Sequence, residues 1–368
     1  GRYFDHTDMY IAGSPGNWPA KEHSFWAGAV IRKQIVLLND LTRDLPVSLC
    51  WQLSTADGRE ATKGTASAVA AAGEVTFVPI EFSAPTVDRR TECVLSVVPE
   101  GAAAEQFQRD DFQLQVFPDR APRPADGDPV LVHDPHGRTS SILARMGLQA
   151  TRWTGKEDFS TFRLLVVGER GYDDRFRDLA LSRHLAQAIT DGLNVLVFEQ
   201  VEGDVFGVRI KEQSARRVFA QQAEHPFLAG LAASDFIDLS GESDLLAPYP
   251  PAPAETRTTW PARYFKWGNR GVVASYVCRK PHVGPFLPVL ECGFDLVDSP
   301  LLAARVGRGR VVLCQVDVTA RAAADPVSRR LMENLLGELR KEPLAQPVGV
   351  RAVGAGASDI ARMFRLRL

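Results

Sequence analysis

Two patterns of hydrophobic and polar positions divide the chain. Up to about residue 118 the apolar residues come in short runs rich in β-branched side chains, at 29–38 (AVIRKQIVLL), 47–53, 75–82 and 93–98. Turn residues separate them: Asn39-Asp40, Ala56-Asp57-Gly58 and Pro85. A last run, 112–117, alternates apolar and polar positions. Short strands at this spacing, with no helical stripe among them, predict an immunoglobulin-like β-sandwich. Trp51 falls in mid-strand and is expected to be core packing.

Pro118, Pro122, Pro124 and Pro129 then crowd into twelve residues, the composition of a stiff linker between domains. Beyond it the period changes. Val130 to His133 reads as an apolar strand, and a Gly137 turn leads into a helix carrying Ile142, Leu143 and Met146, stopped by Gly147. Strands are expected at 150–153 and 164–167. One helix is expected over 173–190, with Leu181, Leu185, Ala188 and Ile189 on one stripe. The run 194–198 (NVLVF) reads as a buried parallel strand, and further strands are expected at 272–278, 286–290 and 310–316. Asp325-Pro326, an N-cap followed by proline at the first helical position, opens a last helix through Val327, Leu331 and Leu335 to Arg340. Strands alternating with helices predict a doubly wound, flavodoxin-like α/β sheet. The expected organisation is a sandwich over 1–118, a linker over 119–129, an α/β domain over 130–342 and a tail over 343–368. In that tail Gly354-Ala-Gly356-Ala-Ser358 precedes Ile360, Ala361, Phe364 and Leu368, like the first βα unit of a further domain.

Composition narrows the function classes. Of 368 residues, 45% are hydrophobic and 24% charged, which excludes a disordered or coiled-coil chain. Lys and Arg number 43 against 45 Asp and Glu, a net charge of −2 that supplies no general field for nucleic acid or an anionic membrane. No 18-residue apolar run occurs. The chain opens on Gly1-Arg2-Tyr3-Phe4 without methionine, so it is expected to be a segment of something longer. Cys50, Cys93, Cys278, Cys292 and Cys314 each lie in apolar stretches, with no CxxC and no histidine at zinc-finger spacing, and are expected to be buried thiols. A pairing of Cys50 with Cys93 across the sandwich stays open.

Four candidate chemistries follow. A nucleophile on a strand-to-helix elbow needs Cys or Ser within G-x-C-x-G or G-x-S-x-G, and the strand ends Gly168-Glu169-Arg170-Gly171 and Glu199-Gln200-Val201 offer neither. No catalytic residue is therefore assigned. Open α/β sheets bind ligands beyond the carboxyl ends of their strands, and those ends carry His133, His136, Glu169 and Glu199, with Gln315 and Asp317 on the last strand. The two histidines and two glutamates are the ligand-binding candidates, and an acid/base or metal-assisted hydrolase requires them to converge. Spacing gives no sign that they do, so no metal or cofactor is expected. The Gly354–Gly356 segment lacks the third glycine of a dinucleotide fingerprint and reads as a tight turn. Finally, six aromatics stand in the first 26 residues. Trp18 and Trp26 are candidates for stacking on a sugar or for an interface. A second group, Trp260, Tyr264, Phe265 and Trp267, follows the proline-rich 248–253 and reads as a lid or an assembly contact.

The segment Tyr10-Ile-Ala-Gly13-Ser14-Pro15-Gly-Asn17-Trp18, followed by Lys21-Glu-His23-Ser-Phe25, Gly28 and Lys33-Gln34-Ile-Val, resembles the stretch after the catalytic barrel in bacterial β-galactosidase-like proteins of glycoside hydrolase family 2. There the chain enters an immunoglobulin-like domain. Residues 164–200, with Asp191-Gly192 leading into Val195-Leu-Val-Phe-Glu199-Gln200, resemble a β-galactosidase trimerisation domain, a glutamine-amidotransferase-like fold that has lost its nucleophile. His225-Pro226-Phe-Leu-Ala-Gly230-Leu231 and Lys266-Trp267-Gly268-Asn269-Arg270-Gly271 look like the same kind of module. The resemblance implies a non-catalytic C-terminal accessory region whose parent is a glycoside hydrolase. Its implied partners are an N-terminal catalytic domain contacted through residues 1–28, other copies of the chain, and carbohydrate; the implied setting is periplasmic or secreted. The family's two catalytic glutamates belong to a (β/α)₈ barrel that this chain lacks, so they carry over to no residue here. The family's usual Gly-Gly before the fourth strand is Asp191-Gly192 in this sequence.

Overall fold

A computed structural model describes residues 6–119, 129–246 and 271–342. Most of the linker, the proline-rich 248–253, the aromatics at 260–267 and the tail with Gly354 and Gly356 lie outside the described residues. The chain is β-rich, with several sheets, and divides into two compact units, Gly1–Arg120 and Ala121–Leu368.

In the first unit, β1 (Thr7–Ala12), β3 (Val30–Asn39) and β6 (Glu74–Ser83) form an antiparallel sheet in the order β1-β3-β6. A second sheet takes β2 (Ser24–Trp26), β4 (Leu45–Thr55), β5 (Glu60–Ala70), β7 (Thr91–Glu100) and β8 (Asp110–Phe117) in the order β2-β8-β7-β4-β5. The period of two decides which side chains meet between them. Val47, Leu49, Trp51 and Leu53 of β4 share one core with Ile31, Ile35 and Leu37 of β3 and Val78, Ile80 and Phe82 of β6. Each such aliphatic side chain contributes about 1.5–3 kcal/mol by leaving water. Trp51 packs against Phe82 with ring centroids 5.4 Å apart.

Two polar residues of β3 are buried as well and fasten the segment between β1 and β2. Gln34 donates from Nε2 to the carbonyls of Gly13 (3.2 Å) and Ser14 (2.9 Å). Lys33 donates from Nζ to the Glu22 carbonyl at 2.6 Å, and its ammonium stands 4.4 Å from the Phe112 ring centroid. The possible Cys50–Cys93 bridge is corrected here. Both cysteines lie in the same sheet, where Cys50 pairs with Val98 while Cys93 pairs with Thr55, so they are offset along the strands rather than facing across the sandwich. All five thiols are free.

In the second unit β9 (Val130–His133), β10 (Ala150–Arg152), β11 (Leu164–Val167), β12 (Asn194–Val197) and β19 (Gly309–Cys314) run parallel in the order β10-β9-β11-β12-β19. α1 (Arg138–Arg145) links β9 to β10; α2 (Asp174–Ser182) and α3 (Leu185–Asp191) link β11 to β12. From β9 the chain steps one way to β10 and then returns to the other side of β9 as β11. No residue of α1 belongs to the core that the α2–α3 pair shares with the sheet. Leu131, Leu165, Val167, Val195 and Val197 pack with Phe176, Leu185 and Ile189 on the α2–α3 face. On the other side α1 touches α4 (Val318–Arg321), and α5 (Pro326–Leu339) packs on α4 and β12.

Two expectations are altered. The single helix over 173–190 is two helices, because His184 adopts a left-handed conformation (φ 56°) between them. The break turns Leu181 out to 66% exposure, while Leu185 and Ile189 stay buried. The strict alternation of strands and helices also lapses after β12. From β13 (Gly203–Val205) the described chain runs through β14 (Val208–Ala215), β15 (Phe219–Ala220), β16 (Ala274–Arg279), β17 (Phe286–Cys292) and β18 (Asp298–Val306) before β19, all joined by antiparallel pairing.

Candidate functional site

Buried polar side chains gather at the carboxyl ends of β9, β11, β12 and β19. Glu169, one residue past the Gly168 that follows β11, and Glu199, past β12, are each 1% exposed; Gln315 and Asp317, past β19, are fully buried. The turn that places Glu169 is tight. Arg170 is left-handed (φ 54°), and a Cβ on Gly171 would come 2.8 Å from the Gly168 carbonyl oxygen, so only glycine fits there.

Each carboxylate has partners from a distant part of the chain. Glu199 accepts from the Thr319 backbone N–H at Oε1, and its Oε2 meets the Thr319 hydroxyl, both at 2.7 Å. Burial pushes its pKa up to about 8 against the pull of those two bonds, and the charges of Asp317 and Glu169 push the same way. Asp317 accepts from Ser275 N–H (2.9 Å) and Oγ (2.5 Å); burial raises its pKa, offset by Arg321. Arg321, fully buried on α4, donates to the carbonyls of Leu239 (2.9 Å), Ser240 (3.2 Å) and Gly241. Asp325 caps α5 through Ser328 N–H at 2.7 Å and also accepts from Ser240 N–H at 2.9 Å. Glu169 accepts from Arg138 Nη1 at 3.0 Å, and the same guanidinium forks onto both oxygens of Asp244. Burial raises the Glu169 pKa, and Arg138 opposes the shift.

The four strand-tip candidates do not form one constellation. Glu169 and Glu199 are neighbours, since Arg170 N–H donates to the Glu199 carbonyl at 2.8 Å. His133 belongs to the other face. Its ring lies against Trp153 and Phe176 at centroid distances of 6.1 and 5.5 Å, and its Nε2 is 3.3 Å from Asp173 Oδ1. Burial lowers its pKa, with Asp173 acting against the shift. His136 is exposed on the loop before α1. No hydrogen bond joins any two of the four side chains among the described residues, and no group of three or more His, Cys, Asp and Glu among them has a metal-binding arrangement. Trp18 is 49% exposed on the segment that Gln34 fastens; Trp26 is half-buried in β2. The sequence pointed to the acids but not to Arg138, Asp244, Thr319 or Arg321. Buried arginine and threonine carry no local signature, and their convergence depends on the folded sheet.

Cys278 and Cys314 lie within strands and Cys292 ends β17, all fully buried, and burial pushes their thiol pKa values up, that of Cys292 to about 12.

No family model matches the chain, and no curated protein matches it in sequence. Among solved structures it is similar to a family 123 glycoside hydrolase from Clostridium perfringens, studied for glycolipid glycan hydrolysis, over 52% of this chain and 48% of that one (10% identity, TM-score 0.25). It is also similar to the apo-form Calx CBD1 domain, over 32% of this chain and all of that one (8% identity, TM-score 0.23). A third likeness is to the DNA-bound alkylpurine DNA glycosylase AlkC of Pseudomonas fluorescens, over 30% of each chain (11% identity, TM-score 0.21). The chain thus spans under half the length of the two enzymes. Likenesses at these TM-scores carry no argument about fold or function.

Proposed function

We propose that the chain is a non-catalytic accessory region of a β-galactosidase-like glycoside hydrolase. In this reading the first unit is an immunoglobulin-like sandwich that buttresses a catalytic barrel through residues 1–28. The second is a doubly wound, amidotransferase-like domain that supports oligomerisation or shapes the rim of the barrel's active site. The observation that carries the reading is the use of the strand-tip acids. Glu199 is closed off by both donors of Thr319, and Glu169 is bonded to Arg138. An acid/base pair needs a free carboxyl within reach of a reacting group, and both oxygens of Glu199 are bonded within the fold on a side chain 1% exposed. The N-terminal resemblance adds support, because Gln34 is hydrogen-bonded to Gly13 and Ser14 of the same motif.

The expected outcome with nitrophenyl β-glycosides is no turnover by the purified chain above the blank. Turnover that survives repurification and disappears on Glu169→Gln or Glu199→Gln overturns the reading. Sedimentation of the chain at micromolar concentration, with a mass above that of one copy, is the signature expected of the oligomerisation role.

A further inference from the structure

One end of the sandwich carries an open groove of about 720 Å³ between the β4–β5 turn (55–59) and the 86–92 segment that leads into β7. That volume falls in the range of sites that take up small ligands. The backbone of both walls is fixed. Thr55 pairs with Cys93 in the β4–β7 ladder, and Ala56 N–H donates to the Glu92 carbonyl at 2.9 Å. Gly58 closes the turn at φ 83°, its N–H donating to the Thr55 carbonyl at 2.8 Å. On the facing wall the Thr91 hydroxyl donates to the Arg89 carbonyl at 2.9 Å.

Six charged side chains line the groove, three arginines and three acids. Half of them are already committed. Asp57 accepts from the Thr55 hydroxyl and, at 3.3 Å, from Arg59 N–H, two bonds that hold its carboxyl below the usual range. Arg90 donates from Nε to Gln115 at 3.1 Å, and its guanidinium stands 5.1 Å from the Phe117 ring centroid. Asp88 is engaged within the chain as well. Arg59, Arg89 and Glu92 remain, all exposed. None of these three side chains makes a hydrogen bond or an ion pair among the described residues. The uncommitted groups are therefore two cations and one carboxylate, beside the exposed Thr86 hydroxyl.

This donor set selects a ligand. A guanidinium receives a carboxylate or a sulfate ester through paired N–H donors. A carboxylate such as Glu92 only accepts, so it suits hydroxyls and repels a second anion. No aromatic ring lines the groove, which leaves a neutral sugar or a nucleotide base no face to stack on. The geometry points to this groove as a binding site for an acidic saccharide, with its anionic group on Arg59 and Arg89 and neighbouring hydroxyls on Glu92 and Thr86. The carboxylate of a uronate and a sulfate ester on a sugar share this chemistry. The site needs no catalysis and stands whether or not the chain serves a glycoside hydrolase.

The test is titration of the isotope-labelled full chain with digalacturonate, with neutral galactobiose and with a sulfated galactobiose, followed by amide resonances. The amides of residues 55–59 and 86–92 are expected to shift with digalacturonate and to stay in place with galactobiose. No shift there at about 10 mM digalacturonate overturns the site, and so does an equal response to galactobiose. Arg59→Gln and Arg89→Gln each lower the affinity about tenfold, the low end for hydrogen bonds to a charged group, while Arg145→Gln on α1 leaves it unchanged. Affinity retained by both groove variants, or lowered equally by Arg145→Gln, overturns it. The tighter of the uronate and the sulfated sugar identifies the anion, and either order supports the site. Hexaglutamate binding as tightly as digalacturonate assigns the groove to an acidic peptide and overturns the saccharide.

Discussion

Replacing Glu199 by glutamine isolates a single buried proton. In the folded chain the carboxyl titrates near 8, and in an unstructured chain near 4.5. Between those values the folded state retains a proton that the unfolded state has released. Its contribution is fully present below 4.5 and lost as pH rises through about 8, at about 1.4 kcal/mol per pH unit. Glutamine reproduces the neutral carboxyl: its oxygen accepts from Thr319 N–H and its amide nitrogen donates to the Thr319 hydroxyl, in place of bonds now 2.7 Å long. Asp317, Asp325 and Glu169 also have raised pKa values, so the parent protein loses stability with pH through them too. The informative quantity is the difference between parent and variant. Guanidinium unfolding at several pH values, with the second unit followed by hydrogen exchange of the β12 amides, is expected to show the variant gaining on the parent by about 1.4 kcal/mol per unit across pH 6 to 8. Parallel curves would refute the reasoning, because Glu199 would then already be ionised in the folded state or exposed to water.

Arg321→Met leaves Asp317 and Asp325 without their buried cation and three carbonyls without a donor. It is expected to cost about 3–5 kcal/mol, read as a lowered unfolding midpoint of the second unit. Gly64→Val introduces a Cβ 2.4 Å from Trp51 Cζ2 and is expected to cost about 1–3 kcal/mol through overpacking, confined to the first unit in a thermal scan. Native alkylation with iodoacetamide is expected to label Cys50, the half-buried thiol, and to spare the four buried ones, as peptide mass spectrometry will show; rapid labelling at Cys278, Cys292 or Cys314 refutes the packing described for them.

Where one chemical type filled a whole element, the element could be read directly. β11 is a continuous apolar run, β9 and β12 are apolar but for His133 and Asn194 at one end, and their limits in the structure match those expected to within a residue. The start of α5 is equally legible, because Asp325 and Pro326 each act within one turn of their own position. Strands whose side chains serve an edge are harder to read. β5 (EATKGTASAVA) is small and polar because it pairs only with β4, and its inward positions must clear Trp51. β14 (VRIKEQSA) is similarly mixed. At the strand tips, topology rules alone led to the acids, since polar residues must gather where strands end. The partners came from afar. Thr319 meets Glu199 across 120 positions of sequence and Asp244 meets Arg138 across 106. No local pattern records such a pairing, because it exists only once the sheet has brought the two segments together.

The order of pairing in the second unit also bears on how the chain folds as it is made. β12 is flanked by β11 on one side and by β19 on the other, Val195 facing Val311. When β12 leaves the ribosome its second neighbour has not been translated, and β19, more than a hundred residues further on, must follow before that edge is covered. The first unit needs nothing beyond its own residues to close both sheets. Contacts between distant segments form slowly, and an unpaired strand edge is prone to association. During synthesis the first unit is therefore complete while the second still holds an apolar strand with one bare side, and that interval is when the nascent chain has most need of a chaperone.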